Sequence, residues 1–234
     1  MINIILVFVV TIIVSYLLGC IPSAYLVGRA IKGIDIREVG SKNMGAMNTF
    51  YIVGFWPGMA VLVLDIGKGM LALLLSYLIA MYIIPVPAGI VVPVGMVAGV
   101  AVIAGHNFPV FLKFKGGKGG ATAIGVLAFL LAWVIWLDLG PFKLPLPMGW
   151  VIYLGSFLIL MLITHWPTFA YGISLIAFPL IAWFAYHDMS LTIYAVCILL
   201  ILILMYIPRI KQILGKSDGN VKRAIFRKNL KDRL

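Results

Sequence analysis

Charged residues are scarce in this chain, and acidic ones are the scarcest. Lysine, arginine, aspartate and glutamate make up 11% of its 234 residues, whereas a soluble globular domain carries roughly 25%. Apolar residues make up 64%, and the mean hydropathy is +1.15. This composition excludes an ordinary soluble domain and indicates an integral membrane protein.

Side chains that bind metals are also few and widely spaced. The two cysteines, Cys20 and Cys197, both lie inside apolar runs, which predicts neither a disulfide framework nor a metal site. The three histidines, His106, His165 and His187, are far apart in the sequence. The basic C-terminal segment has too few interleaved aromatic residues to indicate nucleic-acid binding. We therefore expect no metal, no cofactor and no nucleic-acid partner.

Long apolar runs fill most of the sequence. They lie at residues 3–28, 56–84, 86–105, 121–139, 147–164, 169–186 and 190–207. A helix needs about 20 mostly apolar residues to cross a membrane. No basic segment precedes the first run, so we expect it to be a span and not a cleaved signal peptide. The sequence thus predicts an all-α integral membrane protein, with a bundle of seven transmembrane helices at 1–207 and a basic tail at 208–234.

The basic residues fall on one side of the predicted membrane. Four lie between the first two spans, three between the third and fourth, and nine after the seventh, which accounts for sixteen of the eighteen. Lys143 falls on the other side, and Lys68 lies within the second span. Because basic loops stay in the cytoplasm, this predicts a cytoplasmic C-terminus and an external N-terminus. The net charge of +11 would then face anionic lipid or an anionic substrate.

The densest motif is residues 105–125, GHNFPVFLKFKGGKGGATAIG. We call residues 113–120 the Lys–Gly loop. Glycines leave backbone N–H groups exposed and lysines add charge, a combination typical of an anion cradle. Thr122, at the predicted start of the next helix, adds a hydroxyl near the positive end of the helix dipole. The alternative is a basic loop that only obeys the positive-inside rule.

A second polar motif, residues 40–48, reads GSKNMGAMN. We call it the Ser–Asn loop. Ser41, Asn43 and Asn48 supply hydroxyl and amide groups, although such residues also form ordinary turns. The motif gains interest because it lies on the same predicted membrane face as the Lys–Gly loop.

Polar features also occur within the predicted spans. Pro22, near the end of the first span, predicts a kink whose freed carbonyls need another partner. Asp65 and Lys68 lie one turn apart in the second span, where such a pair is either a structural ion pair or part of a substrate site. The third span is rich in small residues, which lets membrane helices pack closely.

Two stretches together resemble a known family. GSKNMGAMN, followed by DIGKG in the next span, resembles the first conserved block of the bacterial acyl-phosphate:glycerol-3-phosphate acyltransferases, and residues 105–125 resemble the second. The resemblance implies an enzyme of the cell membrane whose active site faces the cytoplasm. It would transfer a fatty acyl group from acyl phosphate to the 1-hydroxyl of glycerol 3-phosphate, giving lysophosphatidic acid for phospholipid synthesis. It would use no nucleotide, acyl-CoA or acyl carrier protein.

The resemblance also implies roles for individual residues. Ser41, Asn43 and Asn48 would form the reaction centre, to which we add His106 because the third span delivers it just before the Lys–Gly loop. The predicted substrate-binding residues are Lys115, Gly116, Gly117, Lys118, Gly119, Thr122, Thr168 and Arg209. Of these, Thr168 stands where the family has a serine that contacts substrate.

The chain departs from the family pattern at three places. Tyr51 stands where the first block has a phosphate-binding arginine, and His165 stands where an arginine is common. The third block, His-x-x-Asn, falls here on Tyr206 to Arg209, which reads YIPR. Arg209 either compensates for Tyr51, with Pro208 breaking the last helix and freeing Arg209 to turn inward, or merely begins the basic tail and extends to lipid headgroups. The alternative is an altered relative that binds or transports an anionic lipid or organophosphate, or that acylates another phosphorylated acceptor.

Overall fold

The computed structural model of the chain describes residues 1–132, 137–138, 143–144, 148–164 and 167–215. These residues are helical apart from one antiparallel strand pair, β1 (Leu137–Asp138) with β2 (Lys143–Leu144). The helical class predicted from the sequence is confirmed, although this pair lies in a connection for which no strand was predicted. The chain divides into two compact units, Met1–Phe129 and Leu130–Leu234.

Most helices lie on the predicted apolar runs, but one short helix lies between the first two runs, and the run 169–186 is divided between two helices. In the first part of the chain they are α1 (Ile2–Gly19), α2 (Ser23–Lys32), α3 (Ala46–Ile52), α4 (Phe55–Leu78, extended by a π-helical turn at Ile79–Ile83), α5 (Ala88–Asn107, followed by a 3-10 turn at Val110–Leu112) and α6 (Gly120–Ala132). In the second they are α7 (Met148–Thr164), α8 (Pro167–Ser174), α9 (Ala177–Phe184) and α10 (Met189–Gly215).

Four helical segments are long and apolar enough to cross a membrane: Ile2–Lys32, Phe55–Ile83, Ala88–Leu112 and Met189–Pro208. Shorter apolar helices, Gly120–Leu130, Val151–Thr164 and Phe169–Phe184, lie within the other three predicted runs. The chain is therefore a helical membrane protein, and the count of seven spans stays a prediction.

Small residues bring the helices of the first unit into backbone contact. A Cβ atom on Gly105 of α5 would overlap the carbonyl oxygen of Tyr16 in α1, and one on Gly19 would overlap that of Val102. A Cβ atom on Gly125 of α6 would likewise overlap the carbonyl oxygen of Ile66 in α4. The close packing predicted from the small residues of the third span is thus present.

Two prolines differ from their predicted effects. Pro22 does more than kink the first span, because α1 ends at Gly19 and α2 begins at Ser23. Pro208 was predicted to break the last helix, and this prediction is wrong, since α10 continues through it to Gly215. A proline removes only one backbone donor, so the turns on either side can keep their hydrogen bonds. Helix α10 therefore crosses the predicted boundary at 207/208, and the side chain of Arg209 lies outside the described residues.

Candidate functional site

The two sequence motifs meet in the first unit. A Cβ atom built on Gly117 of the Lys–Gly loop would lie 2.5 Å from the carbonyl oxygen of Met44 in the Ser–Asn loop. Nearby, Arg37 donates from Nη1 to the carbonyl oxygen of Leu112, 3.4 Å away, just before the Lys–Gly loop begins. The structure therefore brings together the two loops that were predicted to share one membrane face.

Asn48 holds the Ser–Asn loop in shape. Its side-chain oxygen accepts a hydrogen bond from the backbone N–H of Ser41 at 2.9 Å, and its amide nitrogen donates to the carbonyls of Ile36 and Val39 at 2.9 and 3.0 Å. The side chain is buried, with 1% of its surface exposed. Because the amide is engaged at both ends, Asn48 is suited to positioning Ser41 and not to contacting a substrate.

Ser41 and Asn43 present their polar groups differently from Asn48. Both residues are half-buried. Within the described residues, neither the Ser41 hydroxyl nor the Asn43 amide has a hydrogen-bond partner. These two members of the predicted reaction centre can therefore receive a ligand without breaking an existing contact.

The Lys–Gly loop folds back on the end of α5. The N–H groups of Gly116 and Gly117 donate to the carbonyls of Asn107 and His106, each at 3.1 Å. These carbonyls belong to the last turn of α5 and have no partner within the helix. The two N–H groups predicted to bind phosphate are therefore already engaged, so both glycines act through their shape.

Steric contacts show why the loop needs glycine. A Cβ atom on Gly117 would overlap Nε2 of His106, and one on Gly116 would overlap the carbonyl oxygen of His106. Gly119 has a φ of +76°, a conformation that glycine adopts without strain. It leads directly into α6, whose first N–H groups have no intrahelical partner and favour an anion. These N–H groups, close after Lys118 in the chain, are thus better suited to an anion than those of Gly116 and Gly117.

Three buried polar atoms beside the loop have no hydrogen-bond partner among the described residues. They are Nδ1 of His106, Oδ1 of Asn107 and Oγ1 of Thr122. An unsatisfied buried polar group costs roughly 1–3 kcal/mol, so such groups favour a polar ligand nearby. Asn107 was not predicted from the sequence. Its only signal was its place between His106 and the turn into the Lys–Gly loop.

A buried polar cluster fills the break after α1. The carboxylate oxygen Oδ1 of Asp65 lies 2.8 Å from Nζ of Lys68 and accepts a hydrogen bond from the Ser23 hydroxyl at 3.0 Å. Lys68 in turn donates to the carbonyl oxygen of Ile21 at 3.0 Å, so the freed carbonyl finds the partner predicted to be necessary. Of the two readings of the Asp65–Lys68 pair, this favours the structural one.

The remaining predicted residues are placed less completely. Lys115 is exposed and Lys118 half-buried. The side chains of Thr168 and Arg209, and all of His165, lie outside the described residues. In the described part of the chain, no three histidine, cysteine, aspartate or glutamate side chains form a group that could hold a metal ion.

Comparison with known proteins identifies the family of the chain. The family model described as glycerol-3-phosphate acyltransferase matches residues 9–216. Glycerol-3-phosphate acyltransferase 2 of Dehalococcoides mccartyi strain CBDB1 is 49% identical over 99% of this chain and 100% of its own length. The Bacillus subtilis strain 168 glycerol-3-phosphate acyltransferase is 35% identical over 90% of this chain and 96% of its own.

A solved structure shares the fold. The crystal structure of PlsY, an integral membrane glycerol 3-phosphate acyltransferase, in its glycerol 3-phosphate form superimposes with a TM-score of 0.70 and 27% identity, covering 89% of this chain and 92% of that one. The family match, the full-length relatives and the shared fold agree with one another. The chain belongs to the glycerol-3-phosphate acyltransferase family.

Proposed function

We propose that this chain is a membrane acyltransferase that moves a fatty acyl group from acyl phosphate to the 1-hydroxyl of glycerol 3-phosphate. The observation that carries the proposal is the meeting of the Ser–Asn and Lys–Gly loops at Gly117. The PlsY fold has been crystallised in forms named for glycerol 3-phosphate and lysophosphatidic acid, which supports this acceptor and product. The reaction supplies phospholipid synthesis.

The acceptor phosphate binds at Lys118 and the first turn of α6. An ammonium group and a helix N-terminus both stabilise a phosphate dianion. Thr122 lies in that first turn and its buried hydroxyl has no partner among the described residues, so it can donate to the same phosphate. Lys115, Thr168 and Arg209 are further proposed binding residues on the strength of the sequence motifs.

The donor needs positioning more than activation. The bond between the acyl carbon and the phosphate oxygen is already reactive, so orientation and charge stabilisation do most of the catalysis. Ser41 and Asn43 would orient the acyl carbonyl through their unengaged polar groups. The acceptor 1-hydroxyl oxygen then bonds to the acyl carbon, the acyl–phosphate bond breaks, and the departing phosphate takes the hydroxyl proton.

His106 is better suited to a supporting role than to acid–base catalysis. Its Nε2 lies against Gly117, and its Nδ1 lies 3.6 Å from Asp65 Oδ1. A general base has to reach the proton that it removes. Nδ1 is buried beside Asp65 without a hydrogen-bond partner among the described residues, and Nε2 leaves no room for a side chain on Gly117. Assigning the proton to the phosphate needs no base from His106.

The orientation of the site follows from the charges. We propose seven spans in the cell membrane, with the N-terminus outside and the C-terminus in the cytoplasm. The Ser–Asn and Lys–Gly loops would then face the cytoplasm, where both water-soluble phosphate groups are available. The acyl chain would lie between helices, in the lipid.

An assay of the purified full-length chain tests the proposal. With acyl phosphate and glycerol 3-phosphate we expect lysophosphatidic acid, and with acyl-CoA or acyl carrier protein as donor we expect none. Unphosphorylated glycerol is the matched acceptor control, because it lacks the group that Lys118 would bind. Turnover with glycerol at the same KM, or turnover with acyl-CoA alone, would contradict the proposal.

Tyr51 supports one alternative, an altered relative that binds an organophosphate without transferring an acyl group. The tyrosine replaces the arginine that the resemblance leads us to expect, and it removes a fixed charge from the Ser–Asn side of the site. The acyl-transfer assay, combined with a binding measurement, distinguishes the acyltransferase from this altered relative. Binding of glycerol 3-phosphate by calorimetry without any product from any donor would favour the alternative.

A further inference from the structure

Four buried side chains from three helices meet beside the break between α1 and α2. Asp65 and Lys68 come from α4, Ser23 from α2 and His106 from α5. Each has 5% or less of its surface exposed. Asp65 is the centre, because its Oδ1 lies 2.8 Å from Lys68 Nζ, 3.0 Å from Ser23 Oγ and 3.6 Å from His106 Nδ1. We call these four residues the Asp65 cluster.

Stability alone does not explain the cluster. A buried ion pair loses the solvation of both charges, and well-packed apolar residues often hold a fold equally well or better. Charged residues inside a membrane are rare for the same reason. Retaining two of them so close to the candidate site points to a role in geometry.

The cluster reaches the Lys–Gly loop through His106. The imidazole has Asp65 on one side and Gly117 on the other, where Nε2 leaves no room for a side chain. The backbone of His106 also accepts the N–H of Gly117 at 3.1 Å. His106 therefore contacts Gly117 with both its ring and its carbonyl.

Gly117 in turn fixes the two loops relative to each other. Its other neighbour is the carbonyl oxygen of Met44 in the Ser–Asn loop, 2.5 Å from where a Cβ would stand. Lys118 follows Gly117 directly along the chain. A shift of the His106 ring would therefore move Lys118 relative to Ser41 and Asn43.

We propose that the Asp65 cluster is a positioning network that sets the place of Lys118, and so of the acceptor phosphate, relative to the Ser–Asn loop. Asp65 lies beside His106 and limits the place of its ring, His106 supports Gly117, and Lys68 and Ser23 hold Asp65 against the broken end of the first span. None of the four touches the substrate. This inference rests on the proposed function of the two loops.

The test is a neutral pair, Asp65→Asn with Lys68→Met, measured in the full-length protein in detergent. Changing both residues avoids leaving one charge buried without its partner. We expect the KM for glycerol 3-phosphate to rise at least about 10-fold, because displacing Lys118 weakens a charged contact to the phosphate. The KM for acyl phosphate should stay within about 2-fold of the wild-type value. A merely structural role would lower stability without this selectivity.

The matched control is Ser76→Ala, in the same helix α4. Ser76 is also buried, but its hydroxyl donates only to the Leu73 carbonyl of its own helix at 2.7 Å. Both Michaelis constants should be unchanged in this variant. If the neutral pair has the same two Michaelis constants as the wild type, the proposal is overturned.

A double-mutant cycle with Lys118→Ala identifies the route. If the cluster acts through Lys118, the neutral pair should cost much less acceptor affinity in the Lys118→Ala background than in the wild type. If the fold losses of acceptor affinity in the neutral pair and in Lys118→Ala simply multiply when the changes are combined, the cluster does not act through Lys118. Should the neutral pair fail to fold, Gly117→Ala disturbs the same contact from the loop side and should show the same selective rise.

Equilibrium binding of glycerol 3-phosphate tests the positioning network separately from the proposed acyltransferase activity. If the wild type binds glycerol 3-phosphate but forms no product, the proposed activity fails, and the cluster is still tested by the binding constants of the variants. If the wild type is active and the neutral pair binds glycerol 3-phosphate as tightly, the positioning network fails and the activity stands.

Discussion

Gly117 and Asn48 fix the candidate site in opposite ways. Gly117 acts by having no side chain, because His106 and Met44 occupy the space that one would need. Asn48 acts by using its whole amide on three backbone groups, which holds the N–H of Ser41 in place. Neither needs to touch a substrate for its loss to disturb the groups that do.

Lys118→Ala should weaken acceptor binding. A lost charged hydrogen bond costs about 1.5–3 kcal/mol, which corresponds to a rise in KM of roughly 10- to 150-fold. Since the phosphate is bound in the ground state as well as in the transition state, kcat should change much less. Steady-state kinetics with varied glycerol 3-phosphate measures this.

Lys113→Ala is the matched control for that substitution. Lys113 carries the same charge in the same loop, but its side chain is exposed. Its removal should leave the KM within about 3-fold of the wild-type value, since exposed charges are screened. An unchanged KM in Lys118→Ala, or an equal rise in both variants, would remove Lys118 from the phosphate site.

Asp35→Asn should change how stability depends on pH. Arg37 donates to Asp35 from Nε at 3.0 Å and from Nη2 at 2.7 Å, and these bonds hold the pKa of the Asp35 carboxyl below its ordinary 3.8. The stabilisation is therefore fully present above pH 3.8 and is lost as the pH falls through the lower, folded-state pKa.

Thermal unfolding in detergent measures the effect. Asp35→Asn should melt below the wild type at neutral pH, and the two melting temperatures should converge as the solution is acidified below about pH 3.8. Glu38→Gln is the control, because Glu38 lies near Arg37 but forms no ion pair with it among the described residues, so its removal should change the pH dependence much less. A difference between Asp35→Asn and the wild type that is constant with pH would contradict the assignment.

The contact between α1 and α5 depends on glycine at two facing positions. Gly105→Ala would push its methyl group into the carbonyl oxygen of Tyr16, so the helices must separate. Overpacking of this kind costs typically about 1–3 kcal/mol. The next residue is His106, so we expect acyl transfer to fall together with the melting temperature.

Gly89→Ala provides the control in the same helix. A Cβ atom there meets nothing within 4 Å. Since alanine favours a helix over glycine by up to about 1 kcal/mol, this variant should be neutral or slightly more stable. If Gly105→Ala melts like Gly89→Ala, the helices adapt freely and the close approach has no structural role.

The sequence predicted helices better than it predicted their interruptions. Apolar length alone located every described helix that could enter a membrane, because the cost of exposing polar groups to lipid is large. Pro22 and Pro208 look equivalent in the sequence, yet one separates two helices and the other lies inside α10. At the break beside Pro22, the carbonyl oxygen of Ile21 accepts a hydrogen bond from Lys68. Lys68 lies 47 residues along the chain, so the local sequence does not indicate this partner.

The sequence predicted that the two loops belong to one site, but not which of their polar groups are already bonded within the protein. The motifs pointed to both loops, and the structure brings them together. The sequence gives no sign that the N–H groups of Gly116 and Gly117 are engaged by α5, or that Asn48 is fully bonded. Such roles depend on contacts between segments distant in the chain, and local patterns do not contain them.

Charge and span count together predict the membrane topology. Sixteen of the eighteen basic residues lie in two of the predicted loops and in the C-terminal segment, and such segments stay in the cytoplasm. Lys143 lies in a connection predicted to be external. If all seven apolar runs cross the membrane, the connections after the fourth must alternate in side.

Reporter fusions along the second half of the chain test this alternation. A reporter near residue 143 should be external, one near 165 cytoplasmic, one near 187 external, and one after Leu234 cytoplasmic. The two middle sites decide the matter, because they flank the run 169–186, whose helices α8 and α9 are each much shorter than a typical span. If that segment lies along the surface, the reporters at 165 and 187 will report the same side. If the other six runs cross, the chain would then have six spans, and its two termini would share one face of the membrane.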